Sequence, residues 1–366
     1  MSAEYRVQLF TLADSTTYGV GSLVAEFERM KNLGYSEYAN EVGEAFFTIY
    51  QDDPKIRPSV RAAIRDGGHV KILRNNQVVW SGALGATDEN ETDAVIYAYG
   101  YASELYKLHT DWGSEWTGQK VQQIVTDAWN RARTGLSDSR VGWMSTGTIE
   151  SPVTTSGGST EIVLPFYRAD YKRILFLIQE MAAFSISDTT NRVLFEITPD
   201  GTFNFWKNRG SDLTTLRFEW GQRGLVGFRR YRVPTDRRNV IHAVGSSPRD
   251  IVLRTTVEDA TDRGSKGRLE EALYFSWVRD ASELDRVARL RLERAKREDS
   301  DMSLTFAANA ITPSRATGSL YRLTDTVPIK VVHGLTNVDD RKMIVGEQVL
   351  MLRGQEHVRL LMRDRL

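Results

Sequence analysis

Along this chain apolar residues fall mostly at every second position, and one three-strand pattern is written twice. From Asp66 to Gly100, Val70 and Ile72 mark a leading strand, Val78, Trp80, Gly82 and Leu84 a second, and Val95, Tyr97 and Tyr99 a third. From Asp325 to Met362, Val327, Ile329 and Val331 lead, followed by Ile344, Gly346, Gln348 and Leu350, then by Val358, Leu360 and Met362. Such alternation sets one face of a strand on a core and the other in water. In each copy an Asp precedes the leading strand and a Gly falls mid-strand in phase with the apolar positions, so Gly82 and Gly346 are candidate structural glycines. The second copy has 19 residues from Val327 to Gly346 where the first has 12 from Val70 to Gly82, so His333 to Lys342 reads as an insertion that breaks the internal symmetry. Pro328 in its leading strand has no amide hydrogen to donate and suits an edge.

The remaining elements alternate between β and α signals. Tyr5 to Leu12 reads as a strand, Val24 to Glu28 as a strand or short helix, and Ala45 to Tyr50 as a strand ended by Asp52-Asp53-Pro54. Asn75-Asn76 predicts a two-residue primed turn, because Asn tolerates positive φ. After Trp112 the period changes. Thr117 is positioned to cap a helix with Val121, Ile124, Val125, Ala128 and Trp129 on one stripe, and a second helix over Tyr171 to Phe184 carries Ile174, Leu175, Ile178, Met181 and Ala182. A polar loop over Ser151 to Thr160 lies between them, and Pro199-Asp200-Gly201 turns a hairpin from Val193–Ile197 into Thr202–Trp206. Strands resume at Leu213. Asp280 and Glu283 make a capping box for an amphipathic helix with Leu284, Val287, Ala288 and Leu292 inward. The fold class that follows is mainly β with an α+β middle region: two related β-barrel-like tube domains plus a smaller helix-containing domain. The expected limits are 1–108, 109–212 and 213–366, the last with the amphipathic helix inserted at about 280–299.

Composition narrows the chemistry. At 366 residues the chain exceeds one ordinary core. Its 48 Lys and Arg balance 48 Asp and Glu, so no overall basic field draws it to nucleic acid or to an acidic membrane. The absence of cysteine removes disulfides, thiolate metal sites and cysteine nucleophiles. No apolar run is long enough to span a membrane, and Met1 to Arg6 lacks the basic-then-apolar order of a signal peptide. If the protein ends up outside its cell of origin, lysis or passage within a particle is the expected route.

The spacing of polar residues yields no catalytic constellation. The five His are scattered, with no paired-histidine zinc motif, no nucleophile elbow and no phosphate loop; Gly19-Val20-Gly21 lacks the third Gly of a dinucleotide fingerprint. No catalytic, cofactor-binding or metal-binding residue is assigned, and no cofactor or enzymatic activity is expected. Two alternatives stay open. Asp52-Asp53 and Asp339-Asp340 are adjacent carboxylates of a kind that serves as acid and base in glycan hydrolysis, although turns use them far more often. Arg223, Arg229, Arg230, Arg232, Arg237 and Arg238 fall within 16 residues, interleaved with Phe228 and Tyr231, as in a nucleic-acid-binding β-barrel. With balanced charge overall, an interface is the better reading of these arginines. The interface candidates are Arg229, Arg230, Arg232, Pro328, His333, Asp339 and Asp340.

One succession of segments carries a family likeness: Asn40-Glu41-Val42-Gly43-Glu44-Ala45-Phe46-Phe47-Thr48-Ile49, then Val78-Val79-Trp80-Ser81-Gly82-Ala83-Leu84, Thr117-Gly118 opening a helix, and the Pro199-Asp200-Gly201 hairpin ending in Phe205-Trp206. Asn239-Val240-Ile241 running to Gly245, Asp280-Ala281-Ser282-Glu283-Leu284, and Tyr321-Arg322-Leu323-Thr324-Asp325-Thr326-Val327 complete it. In this order they resemble the tail-tip or baseplate hub proteins of long-tailed (siphovirus-type) bacteriophages, over nearly the whole chain. That family usually has Gly where Thr324 stands. The resemblance implies a structural homotrimer whose two tube-like domains per chain form a pseudo-sixfold ring. It implies a virion location at the tail tip after assembly in the host cytoplasm. The implied partners are the distal tail protein, the tape measure protein and a central fibre or spike, with genomic DNA passing through the channel unread. The chain stops at Leu366, so an enzyme or spike is expected on a separate protein.

Overall fold

The computed structural model describes residues 3–13, 18–111, 113–135, 139–152, 163–185, 193–207, 209–222, 224–232, 237–245, 252–275, 278, 280–295, 300–352 and 354–364. The first third folds as β1 (Tyr5–Leu12), β2 (Val20–Phe27), β3 (Asn32–Tyr38), β4 (Glu44–Tyr50), helix α1 (Pro58–Arg65), β5 (His69–Arg74), β6 (Gln77–Glu89), β7 (Asp93–Gly100) and α2 (Ala102–Tyr106). The middle holds β8 (Glu115–Lys120), α3 (Val121–Asn130) running into a π-helical turn, β9 (Ser145–Ile149), β10 (Val163–Arg168), α4 (Ile174–Ser185), β11 (Leu194–Ile197) and β12 (Thr202–Trp206). The last third holds β13 (Phe218–Glu219), β14 (Leu225–Arg232), β15 (Val240–Gly245), β16 (Arg254–Glu258), α5 (Ala260–Lys266), β17 (Glu270–Phe275), α6 (Ala281–Ala295), β18 (Ser300–Phe306), β19 (Thr326–His333), β20 (Thr336–Leu352) and β21 (Gln355–Asp364).

The two ends of the chain build one mostly antiparallel sheet, in the order β14-β18-β21-β20-β3-β4-β7-β6-β5-β1-β2, with β19 on β20 and the short β13 parallel to β19. Its core is continuous. Val7, Phe27, Phe47, Ile72, Trp80 and Ile96 from the first third pack in the same cluster as Phe218, Leu304, Phe306, Ile329, Val349 and Leu360 from the last. A separate cluster joins α3 and α4 to the β11–β12 hairpin; it buries the stripes read from the sequence, Val121 to Trp129 and Ile174 to Ala182. A small third cluster packs α6 on β15 and β16 through Leu284, Ala288 and Leu292 against Ile241, Ala243 and Val257.

Several expectations are corrected. Among the described residues the main sheet ends at β14 and β2, so it is open and forms no closed barrel. The helix expected at 280–299 brings its own three-stranded sheet, β16-β15-β17, and its last turn lies outside the described residues. The polar loop over 151–160 lies mostly outside them too. α3 starts at Val121, after the β8 strand, with Lys120 rather than Thr117 at its cap. In β7 the inward residues are Ala94, Ile96 and Ala98, while Tyr97 and Tyr99 face out. The aromatic signal outweighed the small alanines in the sequence reading, although the alanines are the ones a crowded interior admits.

The segment from His333 to Lys342 is no irregular insertion. It is the far half of a regular hairpin, in which β19 pairs β20 from Thr326–Met343 to His333–Thr336 around Gly334 and Leu335. Thr324 adopts φ +72°, the left-handed region that Gly enters freely, and is buried with its hydroxyl donating to the Arg209 carbonyl at 2.8 Å. A β-branched residue thus occupies a backbone position that favours Gly, held by its neighbours.

A single core across both ends has a measurable consequence. Phe47→Ala and Leu304→Ala, each at a fully buried site, are expected to destabilise the protein by roughly 3–5 and 2–5 kcal/mol. Hydrogen exchange should then show both variants losing protection at β3 and β20 together, although the mutated residues lie in different thirds of the chain.

Candidate assembly interface

The centre of the sheet is the ladder between β3 and β20, running from Tyr38–Gly346 to Asn32–Leu352. A bulge between Ile344 and Gly346 shifts the phase of β20 there, so two consecutive residues, Gly346 and Glu347, are buried. Glu347 accepts hydrogen bonds from the Ser314 amide at 2.9 Å, the Ser314 hydroxyl at 3.2 Å and the Tyr321 hydroxyl. Burial pushes its carboxyl up to about 7, against the lowering effect of those donors.

Two more groups tie the same region, the buried Glu356 and the half-buried Arg315. Glu356 accepts from the Tyr5 hydroxyl at 2.6 Å and from Arg74 at 2.7 Å. Arg315 reaches Glu37 at 2.6 Å and Glu196 at 2.7 Å. Burial disfavours its charge, but the two carboxylates hold it above the usual guanidinium range; burial likewise raises Glu37 despite Arg315. Gln77 accepts from the Thr317 amide at 2.8 Å. The connector from Ala307 to Asp325 is thereby fastened to β20, to β3, to the β5–β6 turn and to β11. Removing one member of a buried ion pair leaves the other unpaired, at roughly 3–5 kcal/mol.

Outward from this joint, strand direction sets what each end of the sheet presents. Every step from β20 through β3, β4 and β7 to β6 is antiparallel, so β6 and β20 run the same way. The far half of β6 projects with β7 as one arm, whose tip carries Asp88, Glu89 and Glu91. The near half of β20 projects with β19 as a second arm from the opposite end, with Leu335 fully exposed at its tip.

The interface candidates separate on this frame. Arg229, Arg230 and Arg232 lie on β14, the free end strand, where Arg229 is exposed and Arg230 half-buried. Arg237 lies instead in the segment before β15, bonded to Asp262 of α5, so the arginine run is divided and forms no single groove; Arg223 lies outside the described residues. Pro328 sits in β19 opposite Arg341, and His333 ends that strand with its ring 5.5 Å from Trp220 and 6.0 Å from Phe228. Asp339 pairs with Arg217 at 3.2 Å and Asp340 accepts its neighbour Arg341's amide at 2.7 Å.

The two carboxylate pairs do not converge. Asp52-Asp53 follows the last residue of β4, while Asp339-Asp340 lies in the first part of β20, which runs parallel to β4; the pairs therefore lie toward opposite ends of the sheet. Gly82 pairs with Gly100 and lies before the β6 bulge, whereas Gly346 lies at the β20 bulge, so the two glycines hold different ladder positions. A Cβ on Gly346 would stand 2.7 Å from the Tyr38 ring, and one on Gly82 2.2 Å from the Tyr99 carbonyl oxygen. Among the described residues no His, Asp and Glu group is arranged to hold a metal ion, and no helix is long and apolar enough to cross a membrane. The buried carboxylates escaped sequence reading because a lone Glu in an alternating strand reads as outward; only Gly346 beside Glu347 hinted at a change of phase.

No protein-family model and no curated relative matches the chain. Solved structures do. The tail protein from Neisseria meningitidis aligns over 100% of this chain and 97% of its own, with TM-score 0.65 and 10% identity. The prophage MuSo2 43 kDa tail protein from Shewanella oneidensis aligns over 98% of each chain, with TM-score 0.65 and 13% identity. Prophage tail protein gp18 from Listeria monocytogenes aligns over 98% of this chain and 94% of its own, with TM-score 0.57 and 10% identity. The chain has the fold of phage tail proteins from end to end.

The joint carries a pH signature. Because the folded Glu347 carboxyl binds its proton more tightly than an unfolded one, stability from this group is full below pH 4.5 and declines as pH rises toward 7. Glu347→Gln is expected to flatten that decline, gaining roughly 1–3 kcal/mol relative to the parent at pH 8 compared with pH 4, as read from denaturant midpoints.

Proposed function

We propose that this chain is a structural hub at the distal end of a phage tail: a homotrimer whose two β-modules per chain form a pseudo-sixfold ring between the tail tube and a threefold tip. One observation carries this reading. β5-β6-β7 and β19-β20-β21 are both antiparallel three-strand units, their middle strands run the same way, and they are joined side by side in one sheet. Two like walls in one chain make a threefold object compatible with a sixfold neighbour. The end-to-end likeness to phage tail proteins supports the same reading.

The division into a first module (1–108), a middle region (109–212) and a second module (213–366) belongs to this proposal. So do the partners: the distal tail protein, the tape measure protein, a central fibre or spike, and DNA passing through the lumen without base contacts. The two arms leave the sheet at opposite ends and differ in chemistry, as a connector between two unlike neighbours requires. A hydrolase is the weaker reading, since the carboxylate pairs lie apart; a nucleic-acid-binding barrel is weaker still, since Arg237 is held by Asp262 of α5 and not on β14 with Arg229, Arg230 and Arg232.

Native mass measurement on the purified chain should give three times the 41.5 kDa of one copy. Leu335→Asp, at a fully exposed tip, should leave that mass unchanged but prevent attachment of the tip proteins, leaving particles that do not infect. A monomer at every concentration, or normal infectious particles from Leu335→Asp, would contradict the ring or the role of the arm respectively.

A further inference from the structure

The β3–β20 ladder has a counterpart that a single copy cannot complete. β21 lies along one side of β20. The other side is shared, first by β19 from Thr336 to Met343, then by β3 from Gly346 to Leu352. β6 begins in the same way: β7 lies along one side from Gly82 to Glu89, and β5 covers the other only as far as Ala83. Beyond it, Gly85 to Glu89 are exposed and carry no strand on that side among the described residues.

The strand that corresponds to β3 is β14. β3 pairs β4, which pairs β7; β14 pairs β18, which pairs β21, and among the described residues β14 has no second neighbour. Setting bulge on bulge, Ala98 matches Met362, Ile96 matches Leu360, Ala45 matches Met302, Phe47 matches Leu304, and Tyr35 matches Arg230. The first four of these pairs are buried in both modules, an independent check on the alignment. On the β6 side, Glu89 falls at the place of Val349, the residue that Tyr35 faces, and Asp88 at the place of Gln348, which Ser36 faces.

Resting on the ring reading above, we infer that β14 of one copy adds antiparallel to the Gly85–Glu89 stretch of β6 in the next copy, with Arg230 facing Glu89 and Tyr231 facing Asp88. The chemistry of both edges fits. β14 carries Arg229, Arg230 and Arg232; the β6 arm carries Asp88, Glu89 and Glu91, and none of these three acids has an ion-pair partner among the described residues. In the intrachain ladder the positions that match Arg230 and Glu89 are Tyr35 and Val349. Tyr35 and Val349 are buried within one copy, whereas the intermolecular edges must stay soluble until assembly, and charge on an open edge suppresses indiscriminate strand addition. Because the two surfaces differ, the contact is head-to-tail and closes rings rather than pairs.

The natural chain has no cysteine, so an introduced pair reports alone. The Tyr231→Cys, Asp88→Cys double variant, oxidised under assembly conditions, should run on non-reducing gels as a covalent ladder ending at the full ring. Glu89→Lys, a change at an exposed position, should weaken association at least tenfold, and adding Arg230→Glu should restore it. Rings that form at parental affinity in Glu89→Lys, with no cross-link from the cysteine pair, would overturn this interface while leaving the ring intact. A chain that never associates would overturn the ring itself.

Discussion

The structure depends on a joint between distant parts of one chain: the antiparallel ladder of β3 on β20, sealed by carboxylates that have left water. Glu347 and Glu356 are almost fully buried, and each is satisfied by donors from elsewhere in the chain, Ser314 and Tyr321 for one, Tyr5 and Arg74 for the other. A buried charge without partners is strongly unfavourable, so this arrangement permits few alternatives. Turning or sliding one module against the other would strand buried Glu356 away from Tyr5 and Arg74. The ring proposed above calls for rigid wall segments, and the desolvation cost of misplacing a charge supplies rigidity alongside apolar packing.

Direction is the second constraint. An even number of antiparallel steps separates β20 from β6, so the two middle strands point the same way. Had the modules been joined through an odd number, one would be upside down relative to its neighbour, and no ring with like walls could follow. The same count sends the acidic β6–β7 arm and the Leu335 arm to opposite ends. The ring proposed above would take its polarity from this sheet order, before any partner binds.

Much of this was legible in the sequence, for identifiable reasons. Long stripes with strong period survived: the α3 and α4 faces, the Pro199-Asp200-Gly201 hairpin, and the recurring three-strand unit. What failed were single-residue readings of phase. Tyr97 and Tyr99 dominated over Ala94 and Ala98, and Gly82 was matched to Gly346 although the bulge places them differently. Bulges are invisible to alternation, because one extra residue flips every later side chain. The joint was missed for the same cause. Glu347 turns inward only through the bulge, and its partners Ser314 and Tyr321 come from a connector with no periodicity. Thr324 shows the converse: a residue whose type argued against a left-handed turn takes it up because Gly210 and the Arg209 carbonyl leave room and a hydrogen bond.

The central claim is that three copies present six like walls around one axis. Electron-microscopic averages of the assembled protein viewed along that axis test it most directly. The account predicts six wall densities alternating in two kinds, with threefold symmetry and an open lumen. A closed two-copy particle, or a ring whose walls cannot be grouped into two alternating kinds, would contradict it.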